Sequence, residues 1–97
     1  MRELELQEDA EGEMLKAAFH YEGEVSGLGS QFLDEVEEGF HRIRRFPLRW
    51  PIYEGPYRRC LLKRFPYGFI YRIESERIYV IAVAHLHRKP GYWTGRQ

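Results

Sequence analysis

The run Tyr67-Gly68-Phe69-Ile70-Tyr71-Arg72-Ile73, the three residues Glu74-Ser75-Glu76, and the run Arg77-Ile78-Tyr79-Val80-Ile81-Ala82-Val83-Ala84 decide the fold of this chain. Both runs are rich in β-branched and aromatic residues, and only a polar turn separates them, so they read as a β-hairpin. Side chains alternate between the faces of a strand. Phe69, Tyr71 and Ile73 therefore share one face, and Gly68, Ile70 and Arg72 the other. In the last strand Ile78, Val80, Ala82 and Ala84 oppose Tyr79, Ile81 and Val83. Both faces of the hairpin are apolar and need cover.

Working back, Tyr57–Lys63 reads as a strand that precedes the hairpin, and Arg2–Gln7 alternates as a short strand with Leu4 and Leu6 on one face. Between them lie two amphipathic stretches. The first, about residues 9–25, has Asp9 as its expected N-cap and the stripe Met14, Ala17, Ala18, Tyr21, Val25. The second, about 30–45, has Ser30 as its expected cap and the stripe Phe32, Leu33, Val36, Phe40, Ile43. Gly27 and Gly29 mark a tight reversal, so the two form a helical hairpin. Residues 46–56 carry Pro47, Pro51 and Pro56 around Trp50 and Tyr53 and read as an ordered loop. The expected fold is α+β, in the order β-α-α-β-β-β. The helical hairpin packs on one face of an antiparallel sheet, in a single domain spanning 1–97. Two helices cover one face only, so the other is expected to stay partly open, rimmed by arginine, as an interaction surface that drives self-association into a homodimer when free.

Composition agrees with a small folded domain. Of the 97 residues 43% are hydrophobic and 31% charged, with a net charge of zero. That zero hides a split. Residues 1–38 hold twelve acids and two bases, a net of −10; residues 39–97 hold three acids and thirteen Lys or Arg, a net of +10. Part of the split follows the second helix, whose acids Asp34, Glu35, Glu37 and Glu38 precede Arg42, Arg44 and Arg45, as its dipole favours. The remaining bases mix with most of the aromatics, a combination suited to docking a polyanion or a folded partner. The single cysteine, Cys60, excludes an internal disulfide and favours a reducing cytoplasm; beside Arg59 its thiol is expected to be acidified. No segment has the length and apolarity of a signal peptide or a membrane span. His85 and His87 stand two apart, but no third ligand lies near at metal-site spacing, so neither metal nor cofactor is expected.

In order and spacing these parts resemble the RelE/ParE superfamily of toxins from type II toxin–antitoxin modules. The resemblance rests on Gly27 to Glu37, Tyr57 to Tyr67, Ile70 to Ile73, Ile78 to His85, and Arg88-Lys89-Pro90-Gly91-Tyr92-Trp93. It implies a toxin embraced by a cognate antitoxin. Within the superfamily, the ribonuclease branch places an arginine at the start of the second C-terminal strand and another after the last strand. Here these positions fall on Gly68 and near Leu86. Phe65-Pro66-Tyr67 and the pattern His85…Arg88-Lys89-Pro90 resemble the ParE branch, plasmid-stabilisation toxins whose characterised members poison DNA gyrase without catalytic residues of their own.

The resemblance thus implies inhibition of a topoisomerase by protein–protein contact, with Arg58, Arg59, Lys63, Arg64, Arg72, Arg88, Tyr92 and Trp93 facing target or antitoxin. The first alternative is a ribosome-dependent messenger RNA endonuclease using Arg59, Arg72, His85, His87 and Tyr92. The second is a toxin-fold protein that binds a partner without toxicity.

Overall fold

The stripe Phe32, Val36 and Ile43 is buried to 2% exposure or less, which makes the second helix the spine of the molecule. The computed structural model describes every residue, Met1–Gln97. Strand β1 (Glu3–Leu6) is followed by helices α1 (Glu8–Glu24) and α2 (Leu28–Arg45), then by strands β2 (Ile52–Glu54), β3 (Tyr57–Leu61), β4 (Tyr67–Ile73) and β5 (Arg77–His85). The five strands form one sheet in the order β1-β5-β4-β3-β2. β1 runs parallel to β5, and every other pair is antiparallel. The α+β hairpin-on-sheet arrangement is the expected one, with an additional edge strand, β2, inside the stretch read as loop.

The helix ends differ from expectation, for identifiable reasons. The Gln7 side chain, not Asp9, caps α1 by accepting from the N–H groups of Asp9 and Ala10 at 2.8 and 3.1 Å. α2 begins at Leu28, ahead of Ser30. Its entry is the left-handed Gly27, at φ 89°. The free N–H groups of Gly27 and Gly29 donate to the Glu22 carboxylate at 2.9 and 3.0 Å, so an acid from α1 does the work expected of Ser30. The helices cross so closely here that a Cβ on residue 29 would stand 2.5 Å from the Ala18 carbonyl oxygen. Val25, expected in the stripe, is the exposed residue ending α1.

One core lies between the helices and the sheet. It joins Ala10, Ala17, Phe32 and Val36 to Phe69, Tyr71, Ile78, Val80 and Val83. The faces of β4 are as expected, but those of β5 are not. Tyr71 pairs with Val80 while Ile70 pairs with Ala82, so Ile81 is an extra residue in the ladder. This bulge moves Val83 to the helix face and Ala82 to the opposite one.

The second sheet face is not open. Ile70, Tyr79, Ile81 and Ala82 pack with Trp93 in a second core. The tail after β5 turns at Gly91, φ 77°, and lays Trp93 edge-on against Tyr57 at 4.8 Å. Trp93 is 3% exposed and Ile81 fully buried, so the open apolar surface expected to drive self-association is covered by the chain's own tail. No helix is long and apolar enough to cross a membrane.

Candidate functional site

The tail does not seal the second face completely. Where it crosses β3, β4 and β5 it leaves a cavity of about 120 Å³. Arg59, Arg88 and Lys89 line it with Tyr53, Tyr92, Trp93 and His85, and Gly68 and Leu86 also form part of its wall. No acid lines it. Arg59 comes from β3, where alternation points it away from the buried Cys60, and its guanidinium lies 4.4 Å from the centre of the Tyr53 ring. Tyr53 belongs to β2, and the pairing of Ile52 with Arg58 brings it there. Arg88 stacks on Tyr92 at 3.8 Å and reaches Glu13 only at 4.0 Å.

His85 ends β5 with its ring edge-on to Tyr67 at 5.0 Å. Its Nδ1 accepts from the His87 backbone N–H at 3.0 Å, which leaves the proton of the neutral ring on Nε2. The Tyr92 hydroxyl donates to Glu13 at 2.6 Å. Burial first, then this hydrogen bond, holds its pKa well above the usual phenol range. Tyr92 is therefore a donor fixed on a carboxylate rather than a free acid.

The other residues read from the sequence as site residues lie elsewhere. β3 ends at Leu61, so Lys63 and Arg64 belong to the turn that follows. Arg64 donates to Glu35 of α2 at 3.1 Å. Arg58 donates to the Trp50 carbonyl at 2.6 Å and anchors the 46–52 loop. Arg72 is held by Glu74 at 2.6 Å and by the Tyr57 hydroxyl at 2.8 Å. Of the ribonuclease set, Arg59, His85 and Tyr92 line the cavity, whereas Arg72 and His87 do not. Trp93 lines the cavity with its edge but is 3% exposed and belongs to the second core.

Sequence reading missed Tyr53 and Lys89 in the cavity wall. It also missed Glu13, which ties the tail to α1. Tyr53 had a signal, an aromatic between two prolines; Glu13 had none, because its partners lie about eighty residues away. Cys60 departs from expectation too. Burial pushes its thiol up to about 11, although Arg42 opposes the shift.

The profile of the ParE toxin of type II toxin–antitoxin systems, parDE, matches residues 4–90. The chain belongs to the ParE toxin family. A solved structure described as the chromosomal ParDE TA system from P. aeruginosa shares the fold, with a TM-score of 0.65 and 16% identity. The match covers 90% of this chain and 98% of that one. No curated protein shows a significant sequence match. This ParE-family chain is thus a toxin of a type II toxin–antitoxin system, and such a system implies an antitoxin partner.

Proposed function

We propose that this ParE-family toxin acts in the cytoplasm by binding a DNA topoisomerase, gyrase, through protein–protein contact, without chemistry of its own, until a cognate antitoxin neutralises it. The contact surface is the rim of the cavity, where Arg59, Arg88 and Lys89 stand beside Tyr53 and Tyr92. The observation that carries this reading is the identity of two wall positions. The ribonuclease branch places arginines where this chain has Gly68 and Leu86, and both line the cavity. Each lost donor to a developing phosphate charge typically costs on the order of 10²–10³ in rate, so the pair leaves little for RNA cleavage. Arginine and tyrosine on a rigid sheet are the side chains that most often anchor protein interfaces.

The test is supercoiling of relaxed plasmid by purified gyrase in the presence of the purified chain. The expected result is dose-dependent inhibition, weakened by Arg59→Ala or Arg88→Ala and abolished by the antitoxin. Full supercoiling activity at every dose would remove the reading.

One observation favours a second reading, messenger RNA cleavage on the ribosome: Arg59, His85, Arg88 and Tyr92 do converge on one acid-free cavity. RNA cleavage needs a base, an acid and a cation at the scissile phosphate. His85 is the only imidazole in that wall and the first candidate for the base, so His85→Ala separates the two readings. It abolishes cleavage if cleavage exists, and leaves topoisomerase inhibition in place.

A further inference from the structure

Two exposed apolar patches carry opposite charge. On the outer side of the helical hairpin, Leu15 and Phe19 of α1 face Leu33 of α2 across an open groove of about 400 Å³, floored by Ala18. Leu15 is 51% exposed and Phe19 85%. Glu22 lines this groove, and Glu11 lies one helical turn before Leu15. α1 holds six acids and one lysine. At the far end of α2, Phe46 and Leu48 project at 49% and 72% exposure. They share a surface with Arg45 and Arg49, with no acid between residues 42 and 49. Arg45 and Arg49 lie 5.4 and 6.0 Å from the Phe46 ring centre, so cations crown this knob.

We infer that the Phe46–Leu48 knob of one copy docks in the Leu15–Phe19–Leu33 groove of a second copy. The free toxin is thereby a dimer held by its helical hairpin and not by its sheet. About fifteen residues of α2 separate the two patches, roughly 20 Å at 1.5 Å per residue, so one molecule cannot close on itself. Two copies laid antiparallel along α2 bring each knob to the other's groove, which gives a closed two-fold pair. The same alignment sets the exposed Asp34, Glu37 and Glu38 of one α2 against Arg44 and Arg45 of the other. The inference stands independently of the topoisomerase reading, because it concerns the opposite side of the molecule from the cavity.

The test is sedimentation equilibrium of the full chain purified free of antitoxin, with Phe19→Asp and Leu48→Asp variants. Both side chains are exposed, so thermal melting should be unchanged, and this is checked first. The wild type should be a dimer at about 50 mM salt and at least tenfold weaker at about 500 mM, as expected for an interface with facing charges. Each variant alone should be monomeric. An equimolar mixture should recover a dimer, because Leu48→Asp retains its groove and Phe19→Asp retains its knob. A wild-type monomer at all concentrations overturns the inference, as does a variant that pairs like wild type or a mixture that stays monomeric. Protection of Phe19 only when antitoxin is added assigns the groove to the antitoxin and overturns it as well.

Discussion

Glu13 and Arg96, eighty-three residues apart, form a two-pronged ion pair, with N–O distances of 2.8 and 3.0 Å. Both side chains are about 85% buried. The same carboxylate accepts from the Val83 backbone N–H at 3.0 Å and from Tyr92. Arg96 also donates to the Ile81 carbonyl at 3.1 Å. β1 ends its pairing at Val80, so Glu13 and Arg96 satisfy the edge of β5 beyond it. Breaking this pair from one side leaves a partly buried charge, which costs about 3 kcal/mol. Arg96→Ala should lower stability by that amount in urea unfolding and release the tail to trypsin at Arg88. An unchanged midpoint and digestion rate would show that the tail is held without Arg96.

Glu35 is 7% exposed, and its carboxylate receives the N–H groups of Lys63 and Arg64 and the Arg64 side chain. Burial pushes its pKa upward, but these hydrogen bonds outweigh it and the net shift is downward from 4.5. A carboxyl depressed in the folded state contributes stability above its unfolded pKa, and that contribution is lost as pH falls through the folded value. Glu35→Gln should therefore cost about 1–2 kcal/mol at neutral pH. The gap to wild type should close as pH drops below 4.5, as read by denaturant unfolding at several pH values. A gap that stays constant with pH would contradict this account of the contact.

Cys60, 1% exposed and with its thiol raised to about 11, should be inert. A thiol reagent at pH 8 should label it only after denaturant is added, at the rate of global opening. Rapid labelling of the native chain would show that β3 opens locally.

Gly39 has a packing role. A Cβ there would meet the Phe69 ring at 2.6 Å. Alanine gains about 1 kcal/mol of helix propensity over glycine. Overpacking a tight core contact costs about 1–3 kcal/mol, so Gly39→Ala should be net destabilising. A rise in melting temperature would mean that the Phe69 ring yields freely.

The fold was legible wherever polar and apolar residues alternate or recur at helical spacing. The α2 stripe and the β4–β5 hairpin are the clear cases. β2 was illegible because Ile52, Tyr53 and Glu54 are all exposed and lie between two prolines, with no periodicity to read. The bulge at Ile81 was hidden for the opposite reason. Every residue from Ile78 to Ala84 is apolar, so no polar residue marks where the faces exchange. Of the charged and aromatic residues in the cavity wall, Arg59, His85, Arg88, Tyr92 and Trp93 were visible, and Tyr53 and Lys89 were not. The rest depends on the fold of the tail, which converts Trp93 from an expected contact residue into core. Trp93→Ala should therefore unfold the second core, at a cost of about 3–5 kcal/mol, and it is not a clean probe of toxicity.

The most direct test of the central claim compares messenger RNA and plasmid topology in the same cells after brief induction of the toxin. Intact transcripts by primer extension are expected, together with relaxed or cleaved plasmid that Arg88→Ala diminishes. Discrete codon-phased cuts in transcripts, lost in His85→Ala while plasmid topology stays normal, would contradict it.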